Sequence, residues 1–175
     1  MTGDTKSCEI RAATCRITDV PAALSWLRDV AKQYSTHLIC FNADMIAGKR
    51  HAETALRYAV RSCRKGAAIS NTFEMEALLY AAGSRQCNVA ASFGIHEGEN
   101  HLWVCCFPFS PGVWDALSTD FSFPGEERQE SMDGKKRDTL MKIFGITPEE
   151  LSTLDSPEEF VDLVLERVAL LEVQR

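Results

Sequence analysis

Four arginines of one segment, Arg50, Arg57, Arg61 and Arg64, follow one another at intervals of seven, four and three, with Lys49 and Lys65 at the segment's ends. Such intervals fall on one side of an α-helix, so the arginines form a stripe. Within 49–65 only Glu53 opposes these six cations. A stripe of one sign can track a phosphate backbone, each neutralised phosphate releasing counterions and making binding salt-dependent. The alternative is a solvated face, which usually mixes both signs. Arg85 and Gln86, after Gly83, form a weaker polar corner where amide donors and a guanidinium fork suit a phosphate or a base edge.

Catalytic patterns are missing. Neither Gly-x-x-x-x-Gly-Lys-Ser/Thr nor Gly-x-Gly-x-x-Gly occurs, so no loop of this type brings backbone amides to a nucleotide phosphate. No Gly-x-Ser-x-Gly elbow is present, and none of His37, His51, His96 and His101 stands in a recognisable pairing with a nucleophile. His37 and Cys40 lie in a short apolar run where residues three apart point to opposite faces, which favours a core histidine over a metal ligand. Glu74 and Glu76, two apart on a helix, diverge by about 200°, and Glu74 has N3 spacing from a cap at Asn71, so a structural role is favoured over acid–base work. A small enzyme whose Cys/His site is assembled only by folding stands as the alternative to a binding protein.

The last segment, 157–173, is apolar around most of a helix. Phe160, Val164, Val168 and Leu171 make one core stripe, and Leu163 and Leu170, seven apart, fall outside it. That surplus serves either a deep groove of the same domain or a partner.

The elements that must position these residues read as follows. Alternation over 8–17 predicts a strand, Val20-Pro21 opens a helix, and 37–41 is a second strand that exits at Asn42. Residues 48–65 are helical and stop at Gly66. A short strand over 67–69, a helix over 72–82 capped by Asn71 and a short helix over 85–93 follow. HLWVCCF at 101–107 has the content of a buried, central strand. The polar stretch 125–137 reads as a mobile loop or partly ordered connector. Thr147-Pro148 and Ser156-Pro157, each with Glu at the third helical position, predict two helices opened by reciprocal caps. Strands interleaved with helices indicate a single mixed α/β (α+β) domain over 1–175, with a small, largely antiparallel sheet flanked by helices.

Composition agrees: of 175 residues 45% are apolar and 25% charged, the balance of a globular chain. No run approaches the ~18 apolar residues of a membrane span, and the polar start is no secretory signal. Seven cysteines without C-x-x-C spacing suit core thiols in a reducing compartment, the cytoplasm, rather than disulfides or a metal set. The net charge of −6 is unevenly spread: residues 1–110 hold 12 Lys+Arg and 10 Asp+Glu, residues 111–175 hold 7 and 15. An acidic total therefore conceals a local basic face.

Taken together, HLICFNADMIAGKRHAETALRYAV (37–60), AISNTFEMEALLYAAGSRQCNVAASFGI (68–95) and HLWVCCF (101–107) resemble the small kinase-binding subunit of the KEOPS complex, the PRPK-binding protein family. The ordered set continues into the Thr147-Pro148 and Ser156-Pro157 helices. No single motif in it is as specific as a Walker loop, and 125–137 is its least family-like part. The resemblance implies a non-catalytic subunit without cofactor or metal. Its implied partners are the complex's small atypical kinase (an ATPase), tRNA through the single-stranded 3′ CCA end and, indirectly, the subunit that transfers threonylcarbamoyl to adenosine. Single-stranded ends are held by stacking, amides and cations. Candidate tRNA contacts are therefore Asn42, Ile69, Ser70, Arg85 and Gln86 besides Lys49, Arg50, Arg57, Arg61, Arg64 and Lys65. Candidate kinase contacts are Leu163, Arg167, Leu170, Leu171 and Val173, although Leu171 also belongs to the core stripe.

Overall fold

The computed structural model describes residues 7–174. Three strands, β1 (Glu9–Ile17), β2 (His37–Asn42) and β3 (Gly98–Phe107), form an antiparallel sheet in the order β1-β3-β2. Side chains alternate cleanly between its two faces. Ile10, Ala12, Ile39, Phe41, Trp103 and Cys105 enter one core, while Ala13, Cys15, Leu38, Cys40, Leu102, Val104 and Cys106 enter the other. Burial on both faces is why the central strand reads as an unbroken apolar run rather than an alternating one.

Nine helices are seen among the described residues: α1 (Val20–Gln33), α2 (Lys49–Arg64), α3 (Phe73–Ala82), α4 (Cys87–Ala91), α5 (Val113–Leu117), α6 (Glu127–Glu130), α7 (Gly134–Phe144), α8 (Pro148–Ser152) and α9 (Pro157–Val173). α1 and α5 cover the second face, with Leu27, Val30, Val113, Trp114 and Leu117 buried. α2, α3, α7 and α9 cover the first, through Ala52, Ala55, Ala59, Leu79, Tyr80, Leu140, Phe144, Phe160, Val164 and Val168. Alanines at every third or fourth position let α2 approach its neighbours closely.

Several local expectations change. Residues 67–69 form no strand, because the amides of Ile69 and Ser70 donate to the buried Glu76 carboxylate (2.9 and 2.8 Å) instead of joining a ladder. The cap of α3 is Thr72, whose hydroxyl accepts from the Met75 amide. Glu74 therefore sits one position too early to close a capping box and binds His37 instead. The short helix starts at Cys87, not Arg85. Thr147 and Glu150 form the expected reciprocal cap, whereas Ser156 makes no side-chain cap and the carboxylate of Glu159 accepts from the Asp155 amide.

The stretch 125–137 is an ordered connection rather than a mobile loop. Buried Gln129 donates to the Ala13 carbonyl (3.1 Å), and buried Lys136 donates to the carbonyls of Gln129 and Ser131 (3.0 and 3.3 Å). Asp133 caps α7 through the Lys136 amide.

Candidate nucleic-acid and partner interface

The apolar stripe of α2 is buried, which turns Arg50, Arg57, Arg61 and Arg64 to the exposed side. The stripe is less one-sided than its sequence implies, because acids from distant segments reach it. At its N-terminal end Lys49 pairs with Glu126 (2.9 Å) and Arg50 with Asp162 (2.9 Å). The Glu130 carboxylate accepts from the Lys49 amide and lies against Gly48, favoured there by the positive end of the helix dipole. Gly48, at φ 89°, holds a backbone conformation that glycine adopts freely and other residues only with strain.

At the C-terminal end Arg61 pairs with Glu172 (3.1 Å) while its guanidinium lies 5.3 Å from the centre of the Tyr58 ring. Tyr58 in turn stacks on Tyr80 at 5.4 Å. Arg57 donates to Thr54 Oγ1 (3.2 Å), and Arg64 and Lys65 are exposed. Arg50 with Asp162 and Arg61 with Glu172 match the start of α2 to the start of α9 and end to end, so the two helices lie parallel.

The same corner gathers the second polar site. Arg85 donates to the Gln174 carbonyl (3.4 Å), just beyond α9, which places it beside the end that Glu172 ties to Arg61. Gln86 is exposed at the cap of α4. Other candidates are used internally. Asn42 is 8% exposed, and its Oδ1 accepts from the Asp44 amide, so it shapes the turn after β2 rather than the surface. Ile69 and Ser70 are half-buried with their amides committed to Glu76, whose other oxygen accepts from Ser62 (2.7 Å).

On α9, Leu171 is 2% exposed and belongs to the core, so it is not the partner contact that its place in the terminal helix suggests. Leu163 is half-buried and packs against the same core. Arg167 is bound within the chain, to Glu150 (2.6 Å) and the Phe144 carbonyl (3.2 Å). Leu170 and Val173 are 46% and 78% exposed and form the apolar end of the helix.

The histidines divide. His51 is a true core histidine: Nδ1 accepts from the Ala47 amide (2.9 Å), and Nε2–H donates to the Ala81 carbonyl (2.8 Å). Burial pushes its pKa down to about 4 against the opposing hydrogen bond to Ala81, with Lys136 adding to the fall, so the ring is neutral. His37 is only half-buried and binds Glu74 at 2.7 Å, unlike the core histidine expected; that hydrogen bond raises its pKa. The thiols of Cys15, Cys40, Cys105 and Cys106 are core groups, whereas Cys63 and Cys87 are exposed. No group of three or more potential metal ligands occurs among the described residues, and no helix there is long and apolar enough to cross a membrane.

At one end of the α2–α9 pair, exposed cations thus stand beside the exposed Leu170 and Val173. The chain matches the family model described as kinase binding protein CGI-121 over residues 17–172, and it belongs to that family. No curated relative matches it.

Proposed function

We propose that this protein is the kinase-docking, tRNA-recruiting subunit of a KEOPS complex, acting without chemistry of its own in forming N6-threonylcarbamoyladenosine in the cytoplasm. Membership of a kinase-binding family supports the kinase partner. The observation that carries the rest is the convergence of Arg61, Arg85 and the exposed Leu170 and Val173 at one end of the α2–α9 pair. Cations there suit phosphates, and the exposed aliphatic side chains suit a protein surface. Tyr80, stacked on Tyr58, is fully buried, so the half-buried Tyr58 and the exposed Arg61 guanidinium beside its ring are the planar groups that can meet an unpaired base.

The test uses the purified chain, intact tRNA and the same tRNA lacking its 3′ CCA, titrated by fluorescence anisotropy at two salt concentrations. Tighter, salt-dependent binding to the intact tRNA is expected, weakened by joint charge reversal at Arg57, Arg61 and Arg64. Equal or absent binding overturns tRNA recruitment. Leu170→Glu with Val173→Glu should abolish co-elution with the kinase, and wild-type co-elution would move the docking face elsewhere. Turnover of a substrate by the isolated chain, lost on one Cys or His substitution, would instead establish an enzyme.

A further inference from the structure

β2 is an edge strand, and its outer edge lies at the bottom of an apolar groove. Ala43 N–H donates to the His101 carbonyl (2.8 Å), so odd-numbered backbone groups of β2 face β3. Asn42 N–H, pointing the other way, donates to the Phe93 carbonyl (2.7 Å). By the same alternation Leu38 and Cys40 aim their N–H and C=O groups away from β3, and no backbone partner meets them among the described residues. These two residues are only 6% and 8% exposed. Their side chains lie in the core and both residues line the groove, so the unpaired strand edge is a template for a chain that enters it.

Leu24 and Leu27 of α1 form one wall of the groove, Met75 and Leu78 of α3 the other, and the cavity between them is about 260 Å³. Gly94 and Ile95 close the end near Cys40, whereas Arg28, Thr72 and Glu74 line the end near Leu38. Glu74 is held by His37 and also feels the positive charge of Arg28, and Arg28 itself is exposed and makes no direct ion pair among the described residues, so its guanidinium can still meet an incoming acid. The helices on either side, α1 and α3, make the groove narrow in the manner that suits a single extended segment rather than the sheet edge of a second folded copy.

We infer that this groove binds an extended peptide segment of a partner protein by strand addition to β2, with an aliphatic side chain in the closed end and an acidic group beside Arg28. Main-chain bonds to Leu38 and Cys40 supply register, and the apolar end selects the side chain. None of the lining residues belongs to the surfaces assigned to kinase or tRNA, so the inference stands or falls independently of them.

The full chain, labelled with ¹⁵N, is titrated with a mixture of acetylated hexapeptide amides that alternate Val, Ile or Leu with polar residues and carry one Glu. A control mixture has the same side chains with every second backbone amide N-methylated, in both phases. The expected result is that the Leu38 and Cys40 amide resonances shift with the first mixture only and that their exchange with solvent slows at least tenfold. Arg28→Glu, an exposed change, should weaken binding at least fivefold. Unshifted Leu38 and Cys40 resonances, or equal binding of the N-methylated mixture, would overturn strand addition. Unchanged affinity in Arg28→Glu would overturn the acidic group.

Discussion

Arg61 and Glu172 face each other at 3.1 Å across the α2–α9 contact, so a cation suited to phosphate is already matched by a carboxylate 111 residues away. A phosphate at this corner must compete with that carboxylate. Glu172→Gln is therefore expected to tighten tRNA binding on the order of two- to fivefold at low salt and to steepen its salt dependence. Stability should change by less than about 1 kcal/mol, as for other exposed pairs. Anisotropy and urea denaturation of the variant check both, and unchanged affinity would mean that Arg61 makes no RNA contact.

Glu76 is a different kind of acid. Fully buried, it collects the Ser62 hydroxyl and the amides of Ile69 and Ser70, tying the turn after α2 to α3. Glu76→Ala leaves these donors without a partner and should cost about 3 kcal/mol or more. Urea denaturation reads the loss directly. A cost below about 1 kcal/mol would show that water replaces the carboxylate.

The difference between these two acids marks what the sequence made legible. The sheet, the central place of β3 and the basic helix could be read from 101–107 and 48–65 because their signals are local. The ion partners of the stripe could not, since Arg50 and Asp162 lie 112 residues apart and nothing local announces the pairing. The spacing of Glu74 and Glu76 favours a structural role for the pair, but the donors that Glu76 collects are not legible, because Ser62 and the amides of Ile69 and Ser70 reach it only in the folded turn between α2 and α3. α5 and most of α7 fall outside the elements legible in the sequence, because their core contacts come from the isolated Val113, Trp114, Leu117, Leu140 and Phe144 among charged and turn residues.

Two histidines should titrate in opposite directions. The Glu74 hydrogen bond raises His37, so its stabilisation is complete below pH ~6.5 and fades as pH rises through the folded-state value. Burial is the largest influence on Glu74 and opposes its ionisation, but the His37 hydrogen bond, a backbone hydrogen bond and the charges of His37 and Arg28 together outweigh it and lower the carboxyl, so the acid's share is lost only at low pH. The pair thus contributes most between pH ~4.5 and ~6.5. His51, at about 4, does the reverse. As pH falls from ~6.5 toward 4 the unfolded chain takes up a proton that the folded one refuses, costing about 3 kcal/mol. Ring resonances followed by NMR should place one titration above the ordinary histidine value and one near 4. His37→Gln should narrow its stability gap from wild type between pH 5.5 and 8, and a constant gap would refute the linkage.

Thiol reactivity should follow burial. Cys15 is pushed up to about 11 and Cys40 to about 12 by burial, and burial with the neighbouring thiols Cys8, Cys106 and Cys40 raises Cys105. The Sγ atoms of Cys8 and Cys105 lie 3.1 Å apart. At pH 8 a disulfide reagent should label Cys63 and Cys87 within minutes, Cys8 more slowly and the four buried thiols only on unfolding. Mass spectrometry of the labelled chain checks this order. Rapid labelling of Cys40 would mean that the groove along β2 opens wide enough to expose it.

Lys136 decides whether 122–133 stays in place. The residue is 8% exposed and its ammonium donates to the carbonyls of Gln129 and Ser131, so the charge is held by backbone oxygens, and burial lowers its pKa. Lys136→Met keeps the aliphatic stem and deletes both donors, which should cost about 1–3 kcal/mol and loosen the connection. Because Glu130, at the end of the same connection, bonds the Lys49 amide, and Glu126 pairs with its ammonium, loosening also uncovers the start of the basic helix. Limited proteolysis should then cut near 122–133, where the wild type resists. Basic charge at Lys49 should become available to tRNA, so the variant is expected to bind it slightly tighter even as it becomes less stable. A variant that resists proteolysis like wild type would place the anchoring energy in Gln129 and its bond to Ala13.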